Sequence, residues 1–367
     1  MRITWVLNHL NLNGGIRVIA IYAERLKQRG HDVVVVTRPR PVASIKNKVK
    51  SLVKGEGWPI DPNTLPNHFD GVDVDLRTIE TRRPIEDRDV PDADVVIATW
   101  WETAPWVNAL APRKGAKAYF VQDFGANDGQ PMDKLAATWR YPMHRIVISK
   151  YIEDLVKRHA PGGGEMSYVP NSVDLEQFQS PPRGKQPTPV VGTIYSQSSF
   201  KGADIAIKAC EIARETLPDL KLIGFGQHLP DRDMGWPDWI QFDTFMKDNE
   251  LKKVYSACDV WLFPPRKEGY GLPVTEAFAC RTPVIATPAG AAPELLAGGG
   301  GILVPHDDPP AMAAAIVKIC SLADNDWRRM SDAAYATVTG YSWDDATERF
   351  EAALKRAIEF APRQSSK

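Results

Sequence analysis

Several things are scarce in this sequence, and each scarcity excludes a class of protein. Its 367 residues include four cysteines, Cys210, Cys258, Cys280 and Cys320, separated by 48, 22 and 40 residues. Those spacings match no metal knuckle, and all four cysteines fall in apolar, helix-like segments. Buried free thiols and a reducing compartment are therefore expected. No apolar run reaches the ~18–20 residues of a membrane span. Net charge is −1, so the overall field calls for no polyanionic partner such as nucleic acid. Internal repeats and long low-complexity tracts are absent. No Gly-x-Gly-x-x-Gly follows the first strand-like segment, which argues against a nicotinamide dehydrogenase. Met1-Arg-Ile-Thr-Trp-Val-Leu7 turns polar at once, so it is expected to be a strand and not a signal peptide.

What is present is a regular alternation. The length suggests two domains of about 150 residues each, and 43% hydrophobic residues suffice for sizeable cores. Ile3–Leu7 and Asp32–Thr37 read as buried strands on either side of an amphipathic helix over 16–29, with Ile16, Ile19, Ala20, Ala23 and Leu26 at helical spacing. Gly30 terminates that helix. Strand-like pieces recur at 72–76, 94–98, 116–121 and 145–149, separated by helical or loop segments, as a parallel sheet requires. Ser180 to Pro189 holds four prolines and a glycine in ten residues, which reads as an interdomain linker. Beyond it a second sheet starts at Val190, with further strands at 221–226, 239–242, 283–286 and 302–304. Helices are predicted over 309–322, 326–338 and 343–360.

The chemistry concentrates at Glu268-Gly-Tyr-Gly-Leu-Pro-Val-Thr-Glu276. The segment Asp259-Val-Trp-Leu-Phe263 before it reads as a buried strand, and Leu272 to Cys280 as a helix with Pro273 in its first turn. Unpaired N–H groups at such a helix start suit a diphosphate, and Gly269 and Gly271 permit close backbone approach. Glu276, one turn into the helix, can accept two hydrogen bonds from the vicinal hydroxyls of a ribose. Glu268, at the strand end, can do the same for a sugar. Taken singly, both glutamates read equally as solvated surface residues; the glycines, the proline and the strand make the pattern.

With its continuation through Ala277-Phe-Ala-Cys-Arg-Thr-Pro-Val-Ile-Ala-Thr-Pro-Ala-Gly-Ala-Ala-Pro-Glu294 and Gly301-Ile-Leu-Val-Pro305, this stretch resembles the donor-binding motif of family 4 glycosyltransferases. The resemblance covers most of the C-terminal half and, more weakly, the N-terminal half. It implies the GT-B fold: two doubly wound Rossmann-like α/β domains around a cleft, with a terminal helix crossing back onto the first. The expected layout is a first, acceptor-side domain at 1–180, a linker at 181–189 and a nucleotide-sugar domain at 190–342. The crossing helix follows at 343–360 and a disordered tail at 361–367.

It also implies a retaining transferase that moves a sugar from a nucleoside-diphosphate donor to a glycan or lipid-linked acceptor, without a cofactor or metal. Glu268, Lys201 and Asp123 are the catalytic candidates. Gly15, Gly269, Tyr270, Gly271, Leu272, Glu276, Arg266 and Phe245 are the donor-side candidates, and Gly14, Gln122 and Asn171 the acceptor or cleft candidates. Lys201-Gly202, at a helix start, places a cation where a diphosphate would sit; the alternative is a surface lysine. Family members usually add an arginine a few residues earlier. Here Tyr195-Ser-Gln-Ser-Ser199 has none, so Arg266 or Lys267 is the candidate substitute. Gln122-Asp123 and Trp100-Trp101 stand where members often carry histidine. The Gln-Asp pair resembles some bacterial polysaccharide rhamnosyltransferases, which adds dTDP-rhamnose to the UDP- and GDP-sugar candidates. Gly14-Gly15 reads as an anion- or acceptor-facing loop or as a plain turn. Asp123 and Asn171 have turn-residue alternatives, and Phe245 reads as a base-stacking or a core residue. A non-catalytic nucleotide-sugar module, an epimerase and a phosphorylase are the rival functions.

Two further features complete the reading. Asp73-Val-Asp75, Asp92-Ala-Asp94 and Asp231-Arg-Asp233 are formal Asp-x-Asp matches, but the first two flank predicted strands, and no metal role is assigned to them. From Arg38 to Lys54 there are six basic residues and no acidic one, with Val42, Ile45, Val49, Leu52 and Val53 on one helical face. Such a segment over 42–54 either lies on an anionic membrane surface, or is a solvated helix packed on its own domain or a mobile loop. The expected location is cytoplasmic, with peripheral contact at the inner face of the membrane through this segment.

Overall fold

The computed structural model describes residues 1–361 apart from 43, 54, 56, 59, 123–131, 163–164, 227–236 and 245–247. The first group of apolar runs forms one sheet of seven strands: β1 (Arg2–Leu7), β2 (Asp32–Thr37), β3 (Asp75–Thr78), β4 (Val95–Ala98), β5 (Ala116–Val121), β6 (His144–Val147) and β7 (Met166–Tyr168). The second group forms a sheet of six: β8 (Val190–Ile194), β9 (Lys221–Gly226), β10 (Ile240–Thr244), β11 (Val260–Phe263), β12 (Val284–Ala286) and β13 (Gly301–Leu303). Their orders are β3-β2-β1-β4-β5-β6-β7 and β10-β9-β8-β11-β12-β13. The described pairings are all parallel; Trp5 lies opposite Val35 and Ile97, and Trp261 opposite Val284 and Gly192. Runs such as Val33–Val36 are buried along their whole length, because a parallel sheet is covered on both faces.

Each sheet reverses its strand order beside its first strand, between β1 and β4 and between β8 and β11. In open α/β sheets, ligands bind beyond the carboxyl ends of strands at such points. That singles out the loop after β1, which carries Gly14-Gly15, the loop after β8, which carries Lys201, and the loop after β11, which carries Glu268.

Three local outcomes differ from the sequence expectation. β3 begins at Asp75, not residue 72, because the N–H groups of Val72 and Val74 turn back to the carbonyls of Phe69 and Val72. The passage between domains comes earlier than residue 180. Val173 and Phe178 already belong to the second domain's core with Trp261 and Phe278. The proline-rich 181–189 segment is fastened to the second domain. Arg183 donates to Thr282 Oγ1 at 2.7 Å and lies 4.7 Å over the Trp327 ring, while Gln186 and Val190 N–H donate to Asp259 at 2.7 and 2.9 Å. Burial raises the pKa of the Asp259 carboxyl, and those backbone donors oppose the rise.

The four cysteines are free and buried, and burial pushes the Cys280 and Cys320 thiols up to about 12. The helix Ile45–Val53 forms as the apolar periodicity predicts, but it does not pack its apolar side on the domain. Ile45 and Val53 are 79% and 82% exposed, and Trp58 and Ile60 are exposed beyond it.

The last helix, Trp343–Phe360, starts at a Ser342–Asp345 capping box and returns to the first domain. Its Phe350 is fully buried there. The ring stacks on Tyr22 at 4.4 Å and Trp5 at 5.3 Å, and meets Phe120 edge-on at 5.1 Å. The first domain's core thus contains a side chain from the far end of the sequence. Phe350→Ala should cost about 3–5 kcal/mol, read as a fall in the urea midpoint of unfolding. A midpoint equal to wild type would show that the helix contributes nothing to that core.

Candidate functional site

The loop after β11 feeds the eight-residue helix Leu272–Ala279, with Gly271 at its N-cap and Pro273 in its first turn. Val274 N–H bonds back to Gly271 O at 3.0 Å. The N–H groups of Gly271 and Leu272 have no partner among the described residues. They sit at the electropositive start of the helix, where an anion is favoured.

Gly202 brings a cation to this loop. It has a φ of +72°, and a Cβ there would lie 2.1 Å from the carbonyl oxygen of Pro264, so only glycine lets the two loops touch. Arg266 N–H also donates to Phe200 O at 2.8 Å. The result places Lys201 Nζ 2.7 Å from Glu268 Oε2, both side chains partly exposed. Residues 67 apart in sequence thus converge at the strand ends.

Glu276 is buried, with 6% of its surface exposed, and both its oxygens are engaged. Tyr255 OH donates to Oε2 at 2.7 Å and Arg17 Nη1 donates to Oε1 at 2.7 Å. Burial, together with the Glu276 charge, drives the Tyr255 pKa well above its ordinary value. Arg17 comes from the other domain, on the helix Gly14–Gln28 just past the glycine pair. It also donates to Gln177 at 3.1 Å and lies 5.6 Å over the Phe178 ring. The cavity left beside Glu276, lined also by Leu272 and Asp174, is about 10 Å³.

The first domain closes over the glycine loop at several points. Gly14 approaches the Leu272 side chain, and Gln122 Nε2 donates to Gly15 O at 3.1 Å. A Cβ on Gly269 would fall 2.0 Å from Gln122 O. Ser149 Oγ donates to Gly269 O at 2.8 Å. Glu294 accepts from Lys150 N–H at 2.8 Å, at the start of the helix Lys150–His159, and from Tyr168 OH at 2.6 Å. Gly14, Gly15, Gln122, Gly269 and Leu272 are therefore brought together.

Other expected residues sit differently. Tyr270 is buried in the first domain's core, and its hydroxyl donates to Asn171 O at 2.5 Å. Its side chain is an interdomain anchor, and its carbonyl accepts from Ala291 N–H at 2.8 Å. Asn171 lines a separate cavity of about 230 Å³ with Tyr168, Thr275, Glu294 and Tyr341. The expectation that Arg266 replaces the family arginine needs correcting. Asp204 and Asp307 hold its guanidinium at 2.8 and 2.5 Å and raise its pKa, and Ser199 O takes a further N–H. That side chain ties the loops together. Asp123 and Phe245 lie outside the described residues, as do Asp231 and Asp233. In the other Asp-x-Asp pairs every carboxylate faces a protein cation: Asp73 with Lys27, Asp75 with Arg77, Asp92 with Lys114 and Asp94 with Arg2.

Sequence reasoning passed over Arg17, Ser149, Tyr255 and Glu294. Ser149 carried a signal, since it caps the helix Lys150–His159. Arg17 carried a weaker one, a cation in the first helical turn after a glycine pair. Tyr255 and Glu294 acquire their roles only through the fold. Gly269→Ala should force the domains apart and cost about 1–3 kcal/mol. Small-angle scattering should give a larger radius of gyration and thermal unfolding a lower midpoint. Wild-type values for both would mean the Gly269–Gln122 approach does not exist in solution.

Residues 188–321 match the family described as Glycosyl transferases group 1. The chain is 31% identical to O-antigen chain mannosyltransferase B of Escherichia coli, over 62% of this chain and 57% of that protein. It is 25% identical to a D-inositol 3-phosphate glycosyltransferase of Actinosynnema mirum, over 94% of this chain and 92% of the other. Among solved structures it shares the fold of sucrose-phosphate synthase from Thermosynechococcus elongatus, with a TM-score of 0.72 at 17% identity, covering 98% of this chain and 99% of that one. Anabaena HepE, solved with UDP and glucose, has a TM-score of 0.71 at 16% identity over 97% and 99% of the two chains. The glycine-loop helix, the facing lysine and the second domain's switch point thus fall within residues 188–321, the part of the chain that matches the group 1 glycosyl transferases.

Proposed function

We propose that this protein transfers a sugar from a nucleoside-diphosphate donor to a glycan or lipid-linked acceptor with retention at the anomeric carbon. The observation that carries the reading is the convergence of Lys201, Glu268, the Gly271 and Leu272 N–H groups and Glu276 at one loop and helix start. The diphosphate takes the N–H groups and Lys201, Glu276 takes the ribose hydroxyls, and Glu268 a hydroxyl of the donor sugar. Charge grows on the diphosphate as the anomeric C–O bond breaks, and groups already aimed there lower the barrier electrostatically. In the front-face reaction the departing phosphate oxygen accepts the acceptor hydroxyl's proton, and the new glycosidic bond forms on the face just vacated. That route needs no separate general base, which accommodates Gln122 where members often carry histidine. The reading gives no step to a metal ion or cofactor. Closure of the first domain over the loop excludes water.

The names of two relatives bear on the donor. One is an O-antigen chain mannosyltransferase and another a GDP-mannose-dependent mannosyltransferase of Mycolicibacterium smegmatis. They favour GDP-mannose over dTDP-rhamnose as the first donor to assay. The helix Ile45–Val53, with Lys46, Lys48 and Lys50 beside exposed Ile45, Leu52 and Val53, fits peripheral contact with an anionic bilayer. No helix among the described residues is long and apolar enough to cross a membrane.

Two measurements test these proposals. A thermal-shift panel of UDP, GDP and dTDP should single out one diphosphate, since a ligand at a hundred times its Kd stabilises by about 2.7 kcal/mol. Glu276→Gln should weaken that nucleotide on the order of tenfold. Unchanged affinity both in wild type and in an Arg17→Gln background would remove Glu276 from the ribose role, and binding without turnover on any donor would favour a non-catalytic module. Separately, the protein should sediment with anionic liposomes at low salt and be released at high salt. Recovery wholly in the supernatant at low salt would discard the membrane proposal.

A further inference from the structure

The Glu276 carboxylate proposed to hold the ribose is already occupied, and by a residue from the opposite domain. Arg17 Nη1 reaches Oε1 at 2.7 Å, and the side chains of the pair are only 20% and 8% exposed. Tyr255, on the same domain as Glu276, takes Oε2. The cavity that Arg17, Glu276 and Leu272 share is about 10 Å³, room for a single water. Leu272, at the start of the phosphate-facing helix, walls the same cavity as Arg17, and Gly14 touches its side chain. The Arg17–Glu276 bond joins the Gly14–Gln28 helix to the Leu272–Ala279 helix and opposes entry of a nucleoside at the carboxylate.

We propose that Arg17 is a latch on the cleft: it neutralises Glu276 across the interface, helps hold the domains closed, and must be displaced before the donor's ribose can bind. The inference rests on the ribose reading of Glu276 and deepens it. In this arrangement Arg17 supplies a positive partner for the buried carboxylate. When the donor enters, two hydroxyls replace the guanidinium at the carboxylate, and the guanidinium moves to solvent or to Gln177, which it already contacts at 3.1 Å. The open, competent form is then only a fraction of the unliganded protein, and apparent donor affinity is reduced by that fraction.

The sign of the resulting prediction is opposite to that for an ordinary cation near a diphosphate. Arg17→Gln should tighten nucleoside-diphosphate binding, on the order of threefold to tenfold. The unliganded variant should also have a larger radius of gyration by small-angle scattering. Arg17→Lys, keeping the charge on a different geometry, should fall between it and wild type on both readouts. Unliganded wild type should be as compact as the nucleotide-bound protein, a measurement that does not depend on any variant folding. Weaker binding by Arg17→Gln would make Arg17 a donor ligand, and unchanged binding or an already open wild type would equally overturn the latch. A double-mutant cycle separates this from failure of the ribose role. Glu276→Gln should reduce affinity more in the Arg17→Gln background than in wild type, because the latch is already gone there. If it reduces affinity in neither background, the ribose reading fails. If it does so equally in both, only the latch fails.

Discussion

The backbone of Gly269 rests on the carbonyl of Gln122 at a separation that leaves no place for a Cβ. The geometry of the cleft follows from that approach. It brings the Leu272–Ala279 helix under the first domain's glycine pair, lets Ser149 hold the Gly269 carbonyl, and puts Arg17 within reach of Glu276. A bulkier residue at the same point would move each of these contacts together, since all cross one interface.

The charges around the cleft are balanced in pairs, each pair performing a different task. Lys201 and Glu268 face each other with both side chains partly open to solvent. Arg266 is divided between Asp204 and Asp307 and fixes loop geometry. Glu294 spans the domains by accepting from Lys150 and Tyr168. The buried pair at Glu276 differs because it crosses the domains with little solvent access, so that removing one partner without a replacement is costly.

Much of the fold was legible in the sequence because parallel sheets write themselves as uninterrupted apolar runs. Val33–Val36 and Trp261–Phe263 are of this kind, and the capping and proline signals around Leu272 placed its helix to within a residue. β3 was misplaced because an edge strand with all four residues exposed leaves little apolar signature. At the site, Glu268, Glu276, Lys201 and the glycines carried a local pattern. Arg17 and Tyr255 did not, since their roles arise from contacts spanning 259 and 21 residues. Arg266 misled for the converse reason: its position near the loop was readable, but its two carboxylate partners were not.

The return of the Trp343–Phe360 helix has a consequence in time. The first domain's sheet emerges from the ribosome with Trp5, Tyr22 and Phe120 ready to pack, yet Phe350, which they enclose, is synthesised only after the whole second domain. At ordinary elongation rates the gap is on the order of ten seconds or more. For that interval an aromatic face waits unsealed on a nascent chain, and the second domain can fold before the first is complete. The usual order, with the N-terminal domain maturing first, is thereby reversed for its final step, and the finished cleft forms only when the last helix docks.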